Sequence, residues 1–137
     1  MTGFAYLAYE DEISVPVIAD ANTVNEYDHS AVDFDHLRRF TLGNRSLEQE
    51  VLNLFRTQSE LYMERLEKAA DDVAWLEAAH TLKGSAAGIG AHKVREAAGQ
   101  CERLTGDDRQ SGGAAGLKRL RSTLDEANFL IASFLND

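Results

Sequence analysis

Apolar residues recur with the period of an α-helix along most of this chain. The pattern predicts one long helix from residue 46 to about residue 70, whose core-facing positions are expected to be Leu47, Val51, Leu54, Phe55, Leu61, Tyr62 and Leu66. A last helix carries the same three-four spacing at Leu117, Leu120, Leu124, Ala127, Ile131 and Phe134. No pair of strand-like segments joined by a hairpin turn interrupts this pattern.

Capping residues predict the ends of the first helices. Asp33 or Asp35 can cap a short helix over HLRRFTL, and Gly43 is expected to end it. Ser46 then opens the sequence SLEQ, which forms a capping box with Gln49, so the long helix is predicted to start at Ser46.

Two more helices and one loop are predicted in the second half of the chain. Asp71 or Asp72 can cap a helix that ends near Gly90 in a left-handed turn. A shorter helix follows over about 92–104, and TGDDRQSGG over 105–113 has the composition of a loop. The apolar positions of that shorter helix are Val94, Ala97, Cys101 and Leu104. Four long amphipathic helices with short links predict an all-α fold, an antiparallel four-helix bundle with an extra short N-terminal helix.

Charge is unevenly distributed along the chain. The net charge of the chain is −9. Residues 1–37 include eight acidic residues and no basic one, whereas the rest of the chain has fifteen acidic and fourteen basic residues. We therefore predict an acidic N-terminal tail over 1–32, poorly ordered or extended, and a helical bundle over 33–137. Within the tail, ISVPVIAD could instead form a short extended piece on the bundle. An acidic protein of this kind is not expected to bind nucleic acid.

Length and cysteine content narrow the class of protein further. A chain of 137 residues is long enough for one domain that buries its own core. Cys101 is the only cysteine, so no intrachain disulfide can form and a small packing side chain is the expected role. No apolar run reaches the ~18 residues of a membrane span, and the N-terminus lacks the basic region of a signal peptide. We predict a cytoplasmic monomer without a membrane partner.

The segment AHTLKGSAAGIG is unusual for a helix because it holds three glycines beside one histidine. The core-facing seam of its helix is predicted to be Trp75, Ala79, Leu82, Ala86 and Ile89. His80 lies roughly 160° from Leu82 on the helical wheel and therefore points away from the core. Lys83 and Gly84 are its neighbours one turn further along the helix.

The surroundings of this histidine suit a nucleophile that another macromolecule must approach closely. Val73 and Leu76 form an apolar flank, and the small residues Gly84, Ala87 and Gly88 keep the helix face flat. An imidazole is a good nucleophile near neutral pH because its unperturbed pKa is about 6.5. A nearby ammonium group can neutralise the oxygens of a phosphoryl group in transfer. We predict that these five residues form a partner-docking surface around the histidine.

Four of the residues in this segment match a known signature. His80, Lys83, Gly84 and Gly90 in HTLKGSAAGIG fit the pattern HxxKGxxxxxG, and through it the chain resembles the histidine phosphotransfer (HPt) domains of multistep phosphorelays. The wider run AAHTLKGSAAGIGAHKVREAAGQCERL is similar to the family throughout. The similarity extends from about residue 33 to the C-terminus.

The resemblance implies a carrier of phosphoryl groups. His80 would be phosphorylated at Nε2 by exchange with the phospho-aspartate of a response-regulator receiver domain. Lys83 would assist electrostatically, and Gly84 would give the receiver access. The implied partners are receiver domains and a hybrid or sensor histidine kinase.

Glu102 corresponds to a polar residue that, in many members, hydrogen-bonds the second ring nitrogen of the histidine. The family often has glutamine there. A carboxylate in this place would keep Nδ1 protonated and leave Nε2 free. The alternative is a solvent-facing Glu102 paired with Arg95 or Arg103.

ATP-binding motifs are not recognisable in the sequence. It contains neither a GxxxxGK loop nor the glycine-rich ATP lid of histidine kinases. The resemblance therefore implies a carrier rather than an enzyme, without a cofactor of its own, and the receiver would supply the metal and the carboxylates.

Two functions of other classes are compatible with parts of the sequence. One is a helical adaptor bundle that binds partners but is not phosphorylated. The other is a metal-binding four-helix bundle, because Glu77 with His80 and Glu26 with His29 form the ExxH pattern of di-iron proteins. The wheel places the first pair away from the core and the second lies in the tail, so no metal site is predicted.

The histidines His36 and His92 have no partners at ligand spacing. Both are expected to be ordinary surface residues.

Overall fold

Five helices make up the described chain, residues 27–136 of this computed structural model. They are α1 (Phe34–Thr41), α2 (Arg45–Glu67), α3 (Asp72–Ile89), α4 (His92–Glu102) and α5 (Gly106–Asn136). Helix α3 packs against α2 and α4, α5 packs against α4 and α2, and α1 lies against α2 and α3. The predicted all-α fold, a four-helix bundle with an extra short N-terminal helix, is confirmed. None of the helices between residues 27 and 136 has the length and apolar character that crossing a membrane requires.

Helix α1 begins as predicted but ends one residue earlier than expected. The side chain of Asp33 caps it and accepts a hydrogen bond from the amide of His36 at 3.0 Å. Leu42 forms the C-cap in the left-handed conformation, with φ of 55°, and Gly43 follows with φ of 77°. The turn therefore uses two consecutive left-handed residues, and the glycine lowers the strain of the second.

The start of α2 differs from the predicted capping box. Asn44 is the N-cap, and its side-chain oxygen accepts a hydrogen bond from the amide of Leu47 at 3.1 Å. Ser46 lies inside the first turn. The prediction was wrong because an asparagine two residues earlier satisfies the same end of the helix.

The buried face of α2 also differs from the predicted one. The residues it buries are Glu48, Leu52, Phe55, Ser59, Met63 and Leu66. Leu47, Leu54 and Leu61 were expected in the core, but they are exposed. Phe55 and Leu66 were predicted in the core and are buried.

Glu48 explains this change of face. It is only 2% exposed and accepts a hydrogen bond from the hydroxyl of Thr41 at 3.0 Å. Arg38 and Arg45 approach the same carboxylate at 4.0 and 3.9 Å. A carboxylate that is hydrogen-bonded and ion-paired can be buried. A glutamate therefore occupies a core position at which the apolar pattern predicts no charged residue.

The predicted loop TGDDRQSGG is instead the beginning of α5, so that prediction was wrong. Gly113, the last residue of this segment, and Gly116, three residues further along α5, face neighbouring helices. A Cβ on Gly113 would lie 3.5 Å from the ring of Trp75, and one on Gly116 would lie 3.1 Å from Sγ of Cys101. Gly116 therefore packs closely against α4, whereas Gly106 opens α5 in the left-handed conformation with φ of 56°.

Contacts with Asp72 fix the first turn of α5. The amide of Gly106 donates to Asp72 Oδ2 at 3.0 Å, and Nε of Arg109 donates to Oδ1 at 2.6 Å. These two hydrogen bonds hold the pKa of the Asp72 carboxyl below its ordinary value. The start of α3 is thereby tied to the start of α5.

The packed chain begins before the predicted boundary at residue 33. The ring of Tyr27 stacks on Phe129 at a centroid distance of 4.8 Å, and Ala31 and Val32 are buried. The rest of the predicted tail, residues 1–26 with ISVPVIAD, lies outside the described residues. Apolar side chains just before α1 therefore belong to the bundle's core despite the acidic composition around them.

Candidate functional site

Helix α3 carries His80 on its outer face, as the wheel predicts. All five residues of the predicted seam are buried: Trp75, Ala79, Leu82, Ala86 and Ile89. The indole Nε1 of Trp75 donates to the carbonyl of Cys101 at 2.7 Å, which fixes the register of α3 against α4. The side chain of His80 is 69% exposed. Its ring is therefore open to solvent on a helix that is rigidly held.

The last residue of α4, Glu102, reaches the ring from the neighbouring helix. Its Oε2 lies 2.6 Å from Nδ1 of His80, and its Oε1 lies 2.5 Å from Nζ of Lys83. The Glu102 side chain is only 18% exposed. The hydrogen bonds from Lys83 and His80 hold the pKa of this carboxyl below its ordinary value. The structure thus brings His80, Lys83 and Glu102 together, and Glu102 does not pair with Arg95 or Arg103.

The geometry selects one form of the imidazole. An ionised carboxylate can only accept hydrogen bonds, so Nδ1 of His80 is the donor in this contact. In the neutral ring the lone pair then lies on Nε2. The nitrogen with nucleophilic character is the one that faces away from Glu102.

The helix face beside the ring is bare. A Cβ added to Gly84 or Gly88 would find no atom within 4 Å outside its own helix, and Ala87 is exposed. Neither glycine is needed for packing or for a left-handed backbone conformation, since both lie within α3. Gly90, by contrast, forms the predicted left-handed C-cap with φ of 81°.

Apolar side chains continue the same stripe of α3 towards its N-terminus. Val73 is 66% and Leu76 is 42% exposed. Both follow the spacing that leads to His80 and then to Gly84 and Ala87, so they lie on one side of the helix. The predicted docking residues therefore form a continuous exposed strip with the histidine near its centre.

Gly99 on α4 is a residue that the sequence analysis missed. The stem of Lys83 passes over this glycine on its way to Glu102, and a Cβ there would be in van der Waals contact with Cδ of Lys83 at 3.6 Å. An isolated glycine inside a predicted amphipathic helix was the available signal.

The histidines His36 and His92 lie at the surface, as expected. The fold brings them together with Arg95 around a shallow pocket of about 190 Å³ that also includes Ala87. The sequence could not reveal this because the residues come from α1, α3 and α4.

The described residues give no support to the metal-site alternative. Glu77 is exposed on α3 like His80, and Glu26 lies outside the described residues. Between residues 27 and 136 no three potential ligand side chains form a group that could hold a metal ion.

Comparison with known proteins assigns the family. The profile of the Hpt domain matches residues 50–128, more than half of the chain. The crystal structure of the histidine phosphotransferase ShpA from Caulobacter crescentus is similar, with 36% sequence identity and a TM-score of 0.59. The match covers 77% of this chain and 91% of that one. A search of curated proteins found no significant match. The chain belongs to the Hpt domain family, the histidine phosphotransfer proteins of phosphorelays.

Proposed function

We propose that this protein carries a phosphoryl group on Nε2 of His80 and exchanges it with aspartates of response-regulator receiver domains. The observation that carries the proposal is the contact between Glu102 and Nδ1 of an otherwise exposed ring. It leaves the second nitrogen free, unhindered and accessible to another protein.

The transfer consists of one bond exchange. The lone pair on Nε2 of His80 attacks the phosphorus of the receiver's aspartyl phosphate. A P–N bond forms while the P–O bond to the aspartyl carboxylate breaks, and the carboxylate leaves with the electron pair. The positive charge that develops on the ring is stabilised by the carboxylate of Glu102 at Nδ1.

Lys83 supplies positive charge near the same ring. Its ammonium group is bound to Glu102 before phosphorylation, so the carboxylate is shared between the lysine and the histidine. The lysine neutralises phosphoryl oxygens as they approach Nε2, and its half-exposed side chain has room to turn towards them.

The chain acts as a carrier, as Hpt proteins do, rather than as an enzyme with its own ATP site. The receiver supplies the divalent metal and the carboxylates that activate the phosphoryl group. A hybrid or sensor histidine kinase is the upstream partner. This chain contributes the nucleophile and a docking surface made of Val73, Leu76, Gly84, Ala87 and Gly88.

The test is a phosphotransfer profile of the full chain. Purified wild-type protein and the variants His80→Gln and His92→Gln are offered a panel of phosphorylated sensor kinases and receiver domains, and radiolabel is followed over seconds to minutes. Wild type and His92→Gln should gain and pass on the label, whereas His80→Gln should remain unlabelled while keeping its helical circular dichroism. Labelling of His80→Gln would refute the assignment, and receiver binding without any labelling of wild type would favour the adaptor function.

A further inference from the structure

The pocket between α1, α3 and α4 continues the groove that holds His80. Ala87 lies two turns along α3 from His80, and Arg95 lies two turns before Glu102 on α4. Because the two helices run in opposite directions, both displacements point the same way and amount to about 10 Å. The pocket of about 190 Å³ is lined by both Ala87 and Arg95, so it opens onto the proposed docking surface.

The chemistry of the pocket wall is dominated by hydrogen-bond donors. His36, His92 and Arg95 all line it, and within residues 27–136 none of their side chains has a hydrogen bond or ion pair. Asp33 also lines the pocket, and its Oδ1 accepts a hydrogen bond from the amide of His36 as the cap of α1. A guanidinium and two imidazoles without partners favour an anionic group over a neutral or cationic one.

The pocket is held open by rigid backbone contacts. The amide of Asp33 donates to the carbonyl of Gly90 at 2.9 Å, which pins the start of α1 to the turn between α3 and α4. Gly90 can take no side chain here, because a Cβ would lie 2.7 Å from the carbonyl oxygen of Asp33. The backbone segments that carry the three donor residues are therefore held together at the turn between α3 and α4.

We infer that this pocket receives a carboxylate side chain of the receiver domain that docks on His80, and that Arg95 is a specificity-determining residue for the receiver. The inference rests on the proposed function. Charge complementarity and continuity with the docking surface support it: a protein seated over His80 and Ala87 covers the pocket as well. A partner that places an acidic residue there gains a charge-assisted contact, whereas a basic residue in that place is repelled.

The experiment uses the receiver that exchanges phosphate fastest with the full chain in the transfer profile. Its dissociation constant is measured by calorimetry for wild type, Arg95→Glu and Lys118→Glu. Lys118 is an exposed cation on α5, so its reversal changes the net charge equally without touching the pocket. Arg95→Glu should weaken binding about ten-fold or more relative to Lys118→Glu, and Arg95→Gln by a smaller factor.

Two further measurements locate the effect. Labelling by phosphoramidate, a small donor that phosphorylates imidazoles without a receiver, should be the same in wild type and Arg95→Glu. Reversing the acidic residues of the receiver one at a time to lysine should identify a single substitution that restores binding to Arg95→Glu. An Arg95→Glu affinity equal to that of Lys118→Glu, or no restoring substitution, overturns the inference.

Failure of the proposed function gives a different result. If His80 accepts no phosphate from phosphoramidate, from kinases or from receivers, the carrier role fails and the inference fails with it. The chain's own acidic N-terminal segment is the rival occupant of the pocket. Neutralising Glu10, Asp11 and Glu12 in the full chain should leave receiver affinity unchanged; a gain in affinity that Arg95→Glu abolishes would assign the pocket to that segment instead.

Discussion

The carboxylate of Glu102 binds the imidazole of His80 across the groove between α3 and α4, with Oε2 2.6 Å from Nδ1. Its other oxygen holds Lys83 at 2.5 Å. The carboxylate of Glu102 therefore determines both the tautomer of His80 and the position of the Lys83 ammonium group.

We predict that in Glu102→Ala the imidazole of His80 is no longer held in a single tautomer. Without an acceptor at Nδ1, the ring proton distributes over both nitrogens, and transfer should slow about ten-fold or more. The ¹⁵N chemical shifts of the ring report the tautomer directly. Glu102→Gln is the matched control, because its amide oxygen still accepts from Nδ1. If Glu102→Ala keeps a single Nδ1–H tautomer, the carboxylate does not position the ring.

Lys83→Ala should slow the transfer step without preventing docking. Losing one cation that acts on the moving phosphoryl group commonly raises the barrier by about 1 to 3 kcal/mol, which is roughly ten-fold to a hundred-fold in rate. Rapid-quench kinetics at saturating receiver separate this rate from the dissociation constant. A collapse of affinity with an unchanged rate inside the complex would make Lys83 a docking residue.

Gly84→Ala should stabilise the protein and impair its function. The new methyl group meets no atom within 4 Å outside its own helix. Alanine also has a higher helix propensity than glycine, so the free energy of unfolding should rise by up to about 1 kcal/mol. The same methyl group stands beside His80, so transfer should slow, and Gly84→Gln should nearly stop it. Gly88→Ala should be equally stabilising but less harmful to transfer. Normal transfer by Gly84→Ala would show that the surface is not kept bare for the receiver.

The glycines of α5 should respond in the opposite way. A Cβ at Gly116 lies only 3.1 Å from Sγ of Cys101, so Gly116→Val crowds the core and should lower the free energy of unfolding by about 1 to 3 kcal/mol. Gly88→Val introduces the same side chain on the open face of α3 and should be nearly neutral. Urea denaturation of the two variants compares them. Equal effects would mean that Gly116 is not a packing glycine.

The stability that Glu102 contributes should depend on pH. Its folded-state pKa is depressed by Lys83 and His80, so the contribution is present above the ordinary pKa of a glutamate and is lost as the pH falls through the lower folded value. The difference in unfolding free energy between wild type and Glu102→Gln should therefore be larger at pH 7 than in acid, and it should decline as the pH falls below the ordinary pKa of a glutamate. Glu50→Gln, at an exposed position of α2, is the matched control for the loss of one carboxylate. A constant difference across this range would contradict the assigned pKa shift.

The outward position of His80 followed from the sequence alone. Helix α3 has an unbroken apolar seam from Trp75 to Ile89, and a helix of fixed period leaves only one direction for the residue next to Ala79. The cap at Asp33 and the left-handed Gly90 were equally predictable, because each depends on the local backbone and on one residue type.

Tertiary contacts decided the remaining features. Glu48 is buried in α2 because Thr41 of α1 and arginines on both helices neutralise it, and this turns Leu47 and Leu54 to solvent. Gly113 and Gly116 lie within α5, where they face the ring of Trp75 on α3 and the sulfur of Cys101 on α4. In each case a side chain of another helix decides the outcome, so the apolar period of a single helix does not predict it.

The same distinction applies to the site. The sequence by itself determined that a histidine with a lysine one turn away lies on an open helix face, because all those residues share one helix. Only the tertiary structure decided that Glu102 joins the two side chains and that Arg95 lines a pocket beside them. Those relationships depend on the register between α3 and α4, which the buried contact of Trp75 with Cys101 sets across the interface.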